Sequence, residues 1–78
     1  QMAVYPNPTT KWLQLEVKNT VFEKLNYQIF DLNFKTVLKN KISTETTTIS
    51  MENLSTNLYL LKVLENNKEV KTFKIIKK

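Results

Sequence analysis

The chain has no cysteine, no histidine and no glycine, and all twelve of its basic residues are lysine. Each absence closes a class of function. Without cysteine there is no disulfide framework, and without cysteine or histidine there is no zinc knuckle and no thiolate or imidazole catalysis. Without arginine the planar fork that grips phosphates and carboxylates in pairs is missing. No apolar run reaches the roughly 18 residues that a membrane-spanning helix needs. The opening Gln1-Met2-Ala3-Val4 has neither the charged nor the apolar region of a signal peptide, and the chain reads as the end of something longer.

The missing glycine matters for turns, because tight turns demand positive φ. Nine asparagines supply the replacement, since Asn tolerates the left-handed region better than most side chains. What remains is ordinary for a small folded unit. Seventy-eight residues make one domain, 41% are hydrophobic and 24% are charged. A chain this short buries only about 60% of its unfolded surface, so its core is thin. The net charge is +5, with lysines spread along the chain. Interspersed lysine keeps strand edges soluble. Nucleic-acid binding asks for a clustered basic face with arginine or aromatics, so none is expected. An anionic surface stays open as a partner.

The apolar period is two almost everywhere. Leu13, Leu15 and Val17 alternate with Trp12, Gln14 and Glu16, which predicts a half-buried strand. Tyr27 and Ile29 begin a second run, Thr36 to Lys39 a third, and β-branched Thr46 to Ser50 a fourth. Tyr59, Leu61 and Val63 share one face of a fifth, and Val70 to Ile76 form the last. No window supports a helix. Pro6-Asn7-Pro8 denies two ladder donors, so residues 4–9 are at most an edge strand followed by a turn. Asn66-Asn67 fits a two-residue primed hairpin turn, Asp31 an Asx-type turn, and Leu54 a plug within the loop at 51–57. Six or seven short strands in this length predict an all-β, antiparallel sandwich of immunoglobulin-like type.

The chemistry is thin. One Asp and six Glu are the only carboxylates, and the Glu residues alternate with apolar neighbours as solvated surface does. No base accompanies the many Ser and Thr, and one Asp cannot build a calcium loop. Asn53-Leu54-Ser55 matches the N-glycosylation acceptor by letter alone. No catalytic residue, metal ligand or cofactor is therefore expected. Two apolar features stand out: Leu58, Leu60 and Leu64 on the face opposite Tyr59, Leu61 and Val63, and Trp12 opposite Leu13 and Leu15. Either the fifth strand is central and covered on both faces, or these residues form an exposed docking patch.

Four blocks in register resemble a known family. Val4-Tyr5-Pro6-Asn7-Pro8-Thr9 resembles the "YPNP" opening of the type A C-terminal sorting domain of the type IX (Por) secretion system of Bacteroidota. Ile29-Phe30-Asp31-Leu32 with Lys35 and Val37 is similar to its hairpin. Ile49 to Leu54, leading to Tyr59, Leu61, Lys62 and Val63, is similar to its central segment, and Val70 to Lys78 resembles its terminal strand. The resemblance covers residues 4–78. Family glycines fall here at Phe34, Asn57 and Asn66 or Asn67; a bulky aromatic disfavours positive φ, so Asn33 is expected to take the left-handed position beside Phe34.

The resemblance implies a transport address. It implies a cargo domain upstream, with Gln1–Ala3 as linker, and export through the periplasm and outer membrane to the cell surface or medium. The implied partners are the secretion machinery, its outer-membrane shuttle protein and a sortase that removes the domain, with the membrane surface involved only indirectly. Pro6, Asn7 and Pro8, with Lys74, Ile75, Ile76, Lys77 and Lys78, are the expected recognition residues, the last strand being read through an unpaired edge. The rival expectation is a β-sandwich accessory module binding carbohydrate or protein, with Trp12, Tyr5, Phe22 and Phe34 as its aromatic candidates.

Overall fold

Alternating side chains become strands whose inward positions are closed to water. The computed structural model describes residues 1–78 as seven strands and no helix: β1 (Met2–Tyr5), β2 (Trp12–Val17), β3 (Leu25–Phe30), β4 (Thr36–Lys41), β5 (Thr46–Ser50), β6 (Asn57–Glu65) and β7 (Lys68–Lys77). They form two antiparallel sheets, ordered β1-β2-β5 and β4-β3-β6-β7. The first is called sheet A below and the second sheet B. The chain stays in one sheet at β1–β2, β3–β4 and β6–β7 and crosses between sheets at every other connection. The core lies between them. Leu13, Leu15, Val17 and Ile49 face inward from sheet A and meet Leu25, Tyr27, Ile29, Tyr59, Leu61, Val63 and Ile75 from sheet B. Fully burying one such aliphatic side chain is worth about 1.5–3 kcal/mol. Burial raises the Tyr27 hydroxyl above the usual tyrosine range, because the phenolate would lose its water.

The all-β sandwich expected from the period is what forms, with small extensions. The third run continues to Lys41, and the last strand begins at Lys68. Met2 and Ala3, expected as linker, pair with Val17 and Glu16 as part of β1. Tyr59 is buried and its hydroxyl donates to the Ser55 carbonyl at 2.7 Å. Leu54 packs against the core as expected, but the fully buried residue of that loop is Met51.

The turns show how a glycine-free chain reverses direction. Asn66 and Asn67 both have positive φ, 52° and 66°, as a primed hairpin turn requires. At the β3–β4 hairpin the Asp31 carboxylate accepts from the Asn33 and Lys35 amides at 2.8 and 3.0 Å, an Asx-type arrangement. The left-handed residue there is Phe34 itself, at φ 61°, and not Asn33. The register forces this: Phe30 pairs Thr36 across a bulge, and the Phe34 amide must donate to the Asp31 carbonyl at 3.1 Å. Lys24 also takes positive φ, at 64°.

Lysine is sorted between the sheets. No strand of sheet A contains one, whereas sheet B carries Lys39 and Lys41 on β4, Lys62 on β6 and Lys68, Lys71, Lys74 and Lys77 on β7. Edge protection by lysine therefore operates on β4 and β7 and not on β1 or β5.

A non-glycine residue held left-handed costs roughly 1–2 kcal/mol, and Phe34 is 75% exposed, so it returns little packing. Phe34→Gly is expected to stabilise the domain by about 1 kcal/mol, raising Tm by about 4–8 °C in a thermal melt. A lowered Tm would contradict the assignment.

Candidate functional site

Two prolines in three residues leave the segment after β1 short of donors, since neither ring nitrogen carries a hydrogen. Both the Tyr5–Pro6 and the Asn7–Pro8 peptides are cis. The side chain of Asn7, an amide that can both donate and accept as a peptide group does, fills the place of the lost backbone pairing. Its Nδ2 donates to the Lys74 carbonyl at 2.6 Å, and its Oδ1 accepts from the Ile76 amide at 2.9 Å. Two residues on, the backbone itself takes over: the Thr9 amide donates to the Ile76 carbonyl, and the Lys78 amide donates to the Thr9 carbonyl, both at 2.9 Å. Thr9 thus bridges Lys77 in parallel. It is only 2% exposed, and its hydroxyl donates to the Trp12 carbonyl at 2.5 Å. Residues near the two ends of the chain are joined into one structure.

This joint divides the expected recognition residues. Ile75 is fully buried in the core, and Lys77 is 8% exposed, with its ammonium donating to the Lys78 carbonyl at 3.1 Å. Neither presents its side chain outward. Pro6, Asn7, Pro8, Lys74, Ile76 and Lys78 are exposed. The expectation of a bare last strand is corrected at the same place. From Lys74 to Lys78 the outer edge of β7 is occupied by the chain's own Asn7 and Thr9. The free outer edge of β7 is thereby confined to the part of the strand before Lys74. Beside the joint, Pro6, Pro8, Lys11, Trp12 and Lys78 border a shallow groove of about 440 Å³. A larger cleft, about 620 Å³, lies at the opposite end between Phe22–Asn26 and Lys41–Ser43. Glu23 is the single carboxylate on its lining, with Lys24, Lys41 and Ser43 beside it.

The apolar patch has a definite place. Leu58, Leu60 and Leu64 lie half-buried on the outer face of sheet B, where β6 is an inner strand flanked by β3 and β7. Leu58 pairs with Ile76, which is 48% exposed, and Leu60 sits between Phe30 and Lys74. Lys62 holds its ammonium 5.4 Å from the centre of the Phe30 ring and 3.1 Å from Glu69. The Thr72 hydroxyl and the Lys62 ammonium, both bonded to Glu69, hold its carboxyl below the usual range. The four aromatic candidates do not share a platform. Tyr5 and Trp12 are half-exposed on sheet A, Phe22 packs on the core, and Phe34 stands at the β3–β4 hairpin. Groups of three or more His, Cys, Asp or Glu that could hold a metal are absent.

A family model described as the secretion system C-terminal sorting domain matches residues 3–78. The chain belongs to that family. No curated protein matches it. The family is that of C-terminal sorting signals for type IX secretion, and it is not an enzyme family. Membership implies interaction with the type IX secretion machinery, and export to the cell surface or the medium. The two blocks at the extremes of the sorting domain, Pro6–Thr9 and Lys74–Lys78, are the two halves of the joint. Sequence reasoning named both blocks and missed their pairing. The signal available was the donor deficit that two prolines create beside an asparagine.

Asn7→Ala removes both side-chain bonds and leaves the Lys74 carbonyl and Ile76 amide without partners. The expected cost is roughly 1–2 kcal/mol by denaturant titration, with faster hydrogen exchange at the Ile76 amide than at core amides of β3. Unchanged exchange at Ile76 would contradict the pairing. For Glu69 the folded carboxyl is depressed, so its stabilisation is present at neutral pH and lost as pH falls through the folded value. The stability gap between wild type and Glu69→Gln is therefore expected to shrink in acid unfolding series. A gap that widens on acidification would contradict it.

Proposed function

We propose that this domain directs an upstream cargo through the type IX machinery by presenting the folded joint between Pro6–Thr9 and Lys74–Lys78 as the feature recognised. The observation that carries the reading is the two-way bonding of Asn7 to Lys74 and Ile76, continued by Thr9. It makes a surface that exists only when the chain is folded. The exposed residues of that surface, Pro6, Pro8, Lys74, Ile76 and Lys78, are the contact residues. Ile75 and Lys77 act by holding the strand in place. The outer-membrane shuttle protein is the proposed reader, and a sortase then removes the domain after passage from the periplasm across the outer membrane. The absence of any reactive constellation supports an address over a catalyst, because the surviving differences between positions are of shape and charge.

The test is a fusion of residues 1–78 to a periplasmic fluorescent protein in a host with a type IX system. Fluorescence is expected outside the cell. Deleting residues 70–78 removes most of β7, core Ile75 included, so its failure to export is uninformative about contact. Lys74→Glu/Ile76→Glu/Lys78→Glu changes only outward residues and is expected to stay folded by circular dichroism while export drops at least tenfold. Undiminished export by that folded variant would overturn the assignment of contact residues. Retention of the unaltered fusion inside the cell would overturn the sorting reading.

A further inference from the structure

The outer face of sheet B combines an apolar strip with one sign of charge. Register places Leu58, Leu60, Leu64 and Phe30 together on it, half-buried, beside the more exposed Ile76. Around them the same face carries Lys39 and Lys41 from β4, opposite Gln28 and Asn26 of β3, and Lys62 and Lys74 from β6 and β7. Its carboxylate is Glu69, which is already bonded to Lys62 and Thr72. The outer face of sheet A is different in kind. Gln14, Glu16, Thr46, Thr48 and Ser50 line it with the exposed Tyr5 and Trp12; no lysine lies on its strands, although Lys18, just past β2, reaches Glu16 at 3.9 Å. A net charge spread evenly over the chain would not divide this way.

We propose that the outer face of sheet B is a second docking surface, which takes a protein partner whose apolar strip is rimmed by aspartate and glutamate. Charge complementarity selects this occupant. A second copy of the chain would set lysine against lysine. A lipid bilayer favours Trp and Tyr at its interface, and the exposed Trp12 and Tyr5 lie on the other sheet. Facing carboxylates would pair with Lys39, Lys41 and Lys74, while desolvating the leucines adds the apolar contribution. This rests on the reading of the chain as a sorting domain that meets protein machinery; the face adjoins the Pro6–Thr9 joint and shares Lys74 and Ile76 with it, while Lys39, Lys41, Leu60 and Leu64 belong to it alone.

Because the chain has no cysteine, single probes can be placed cleanly. Leu60→Cys, on the proposed face, and Thr48→Cys, on sheet A, are each labelled with a benzophenone maleimide in the 78-residue domain. Each is irradiated with outer membranes from cells that have a type IX system. The Leu60 probe is expected to give a protein adduct whose cross-linked peptide is rich in Asp and Glu. Its yield should fall at least tenfold in a Lys39→Glu/Lys41→Glu background and fall with added salt. The Thr48 probe should give at most a tenth of that adduct. Equal adducts from both probes, adducts confined to lipid or glycan, adducts with a second copy of the domain, or a yield indifferent to the charge reversal would each overturn the proposal. Circular dichroism of the exposed lysine variant confirms that it is folded. If the fusion described above is exported normally while these results fail, the docking face is wrong and the sorting reading stands.

Discussion

A strand at the edge of a sheet has to dispose of one row of amide and carbonyl groups, and in this molecule the strand concerned is the last one. β7 pairs with β6 along one side only. From Lys74 onward its other side is closed by the Asn7 side chain and the Thr9 backbone. Ile75 then stays seated in the core and Ile76 is turned outward. Remove that closure and the outer side of the end of β7 is free, with only the β6 ladder and one buried isoleucine to hold it. The order of the proposed recognition surface depends on this bonding, with a proline-flanked asparagine sitting where an ordinary edge strand would continue.

Much of this was legible in the sequence, and the illegible parts share a cause. Period-two runs located six of the seven strands, because inward alternation is written in consecutive residues. The Asp31 and Asn66-Asn67 turns were legible for the same reason, being local chemistry. Phe34 was misjudged because residue preference spoke against positive φ, while the β3–β4 register, set by pairs beyond the turn, imposed it. The joint was invisible because Asn7 and Lys74 lie 67 residues apart. The sorting of lysine onto sheet B was hidden likewise: along the chain the charges look evenly dispersed, and only the crossing of strands between sheets collects them.

On the proposed reading, a domain of this kind conveys information through outline and charge. The sandwich supplies two distinct outer faces at little cost in length, one polar with two exposed aromatics and no lysine on its strands, the other apolar and basic. Between them, at one end, the joint sets Pro6, Pro8 and Trp12 beside Lys11 and Lys78. Membership in the sorting-domain family gives such surfaces a purpose, since a transport machine that accepts many cargoes needs a feature independent of what each cargo is. A folded joint meets that need better than a linear tail, because an unfolded chain does not display it.

The central claim is that the address is conformational. Its most direct test is competition: the labelled 78-residue domain is bound to outer membranes from type IX-competent cells and challenged with either unlabelled domain or a linear peptide of residues 70–78. The unlabelled domain should displace the label, and the peptide should fail to do so at a hundredfold higher concentration. Equal displacement by the peptide would show that the last strand is read as sequence, and the account built on the joint would be wrong.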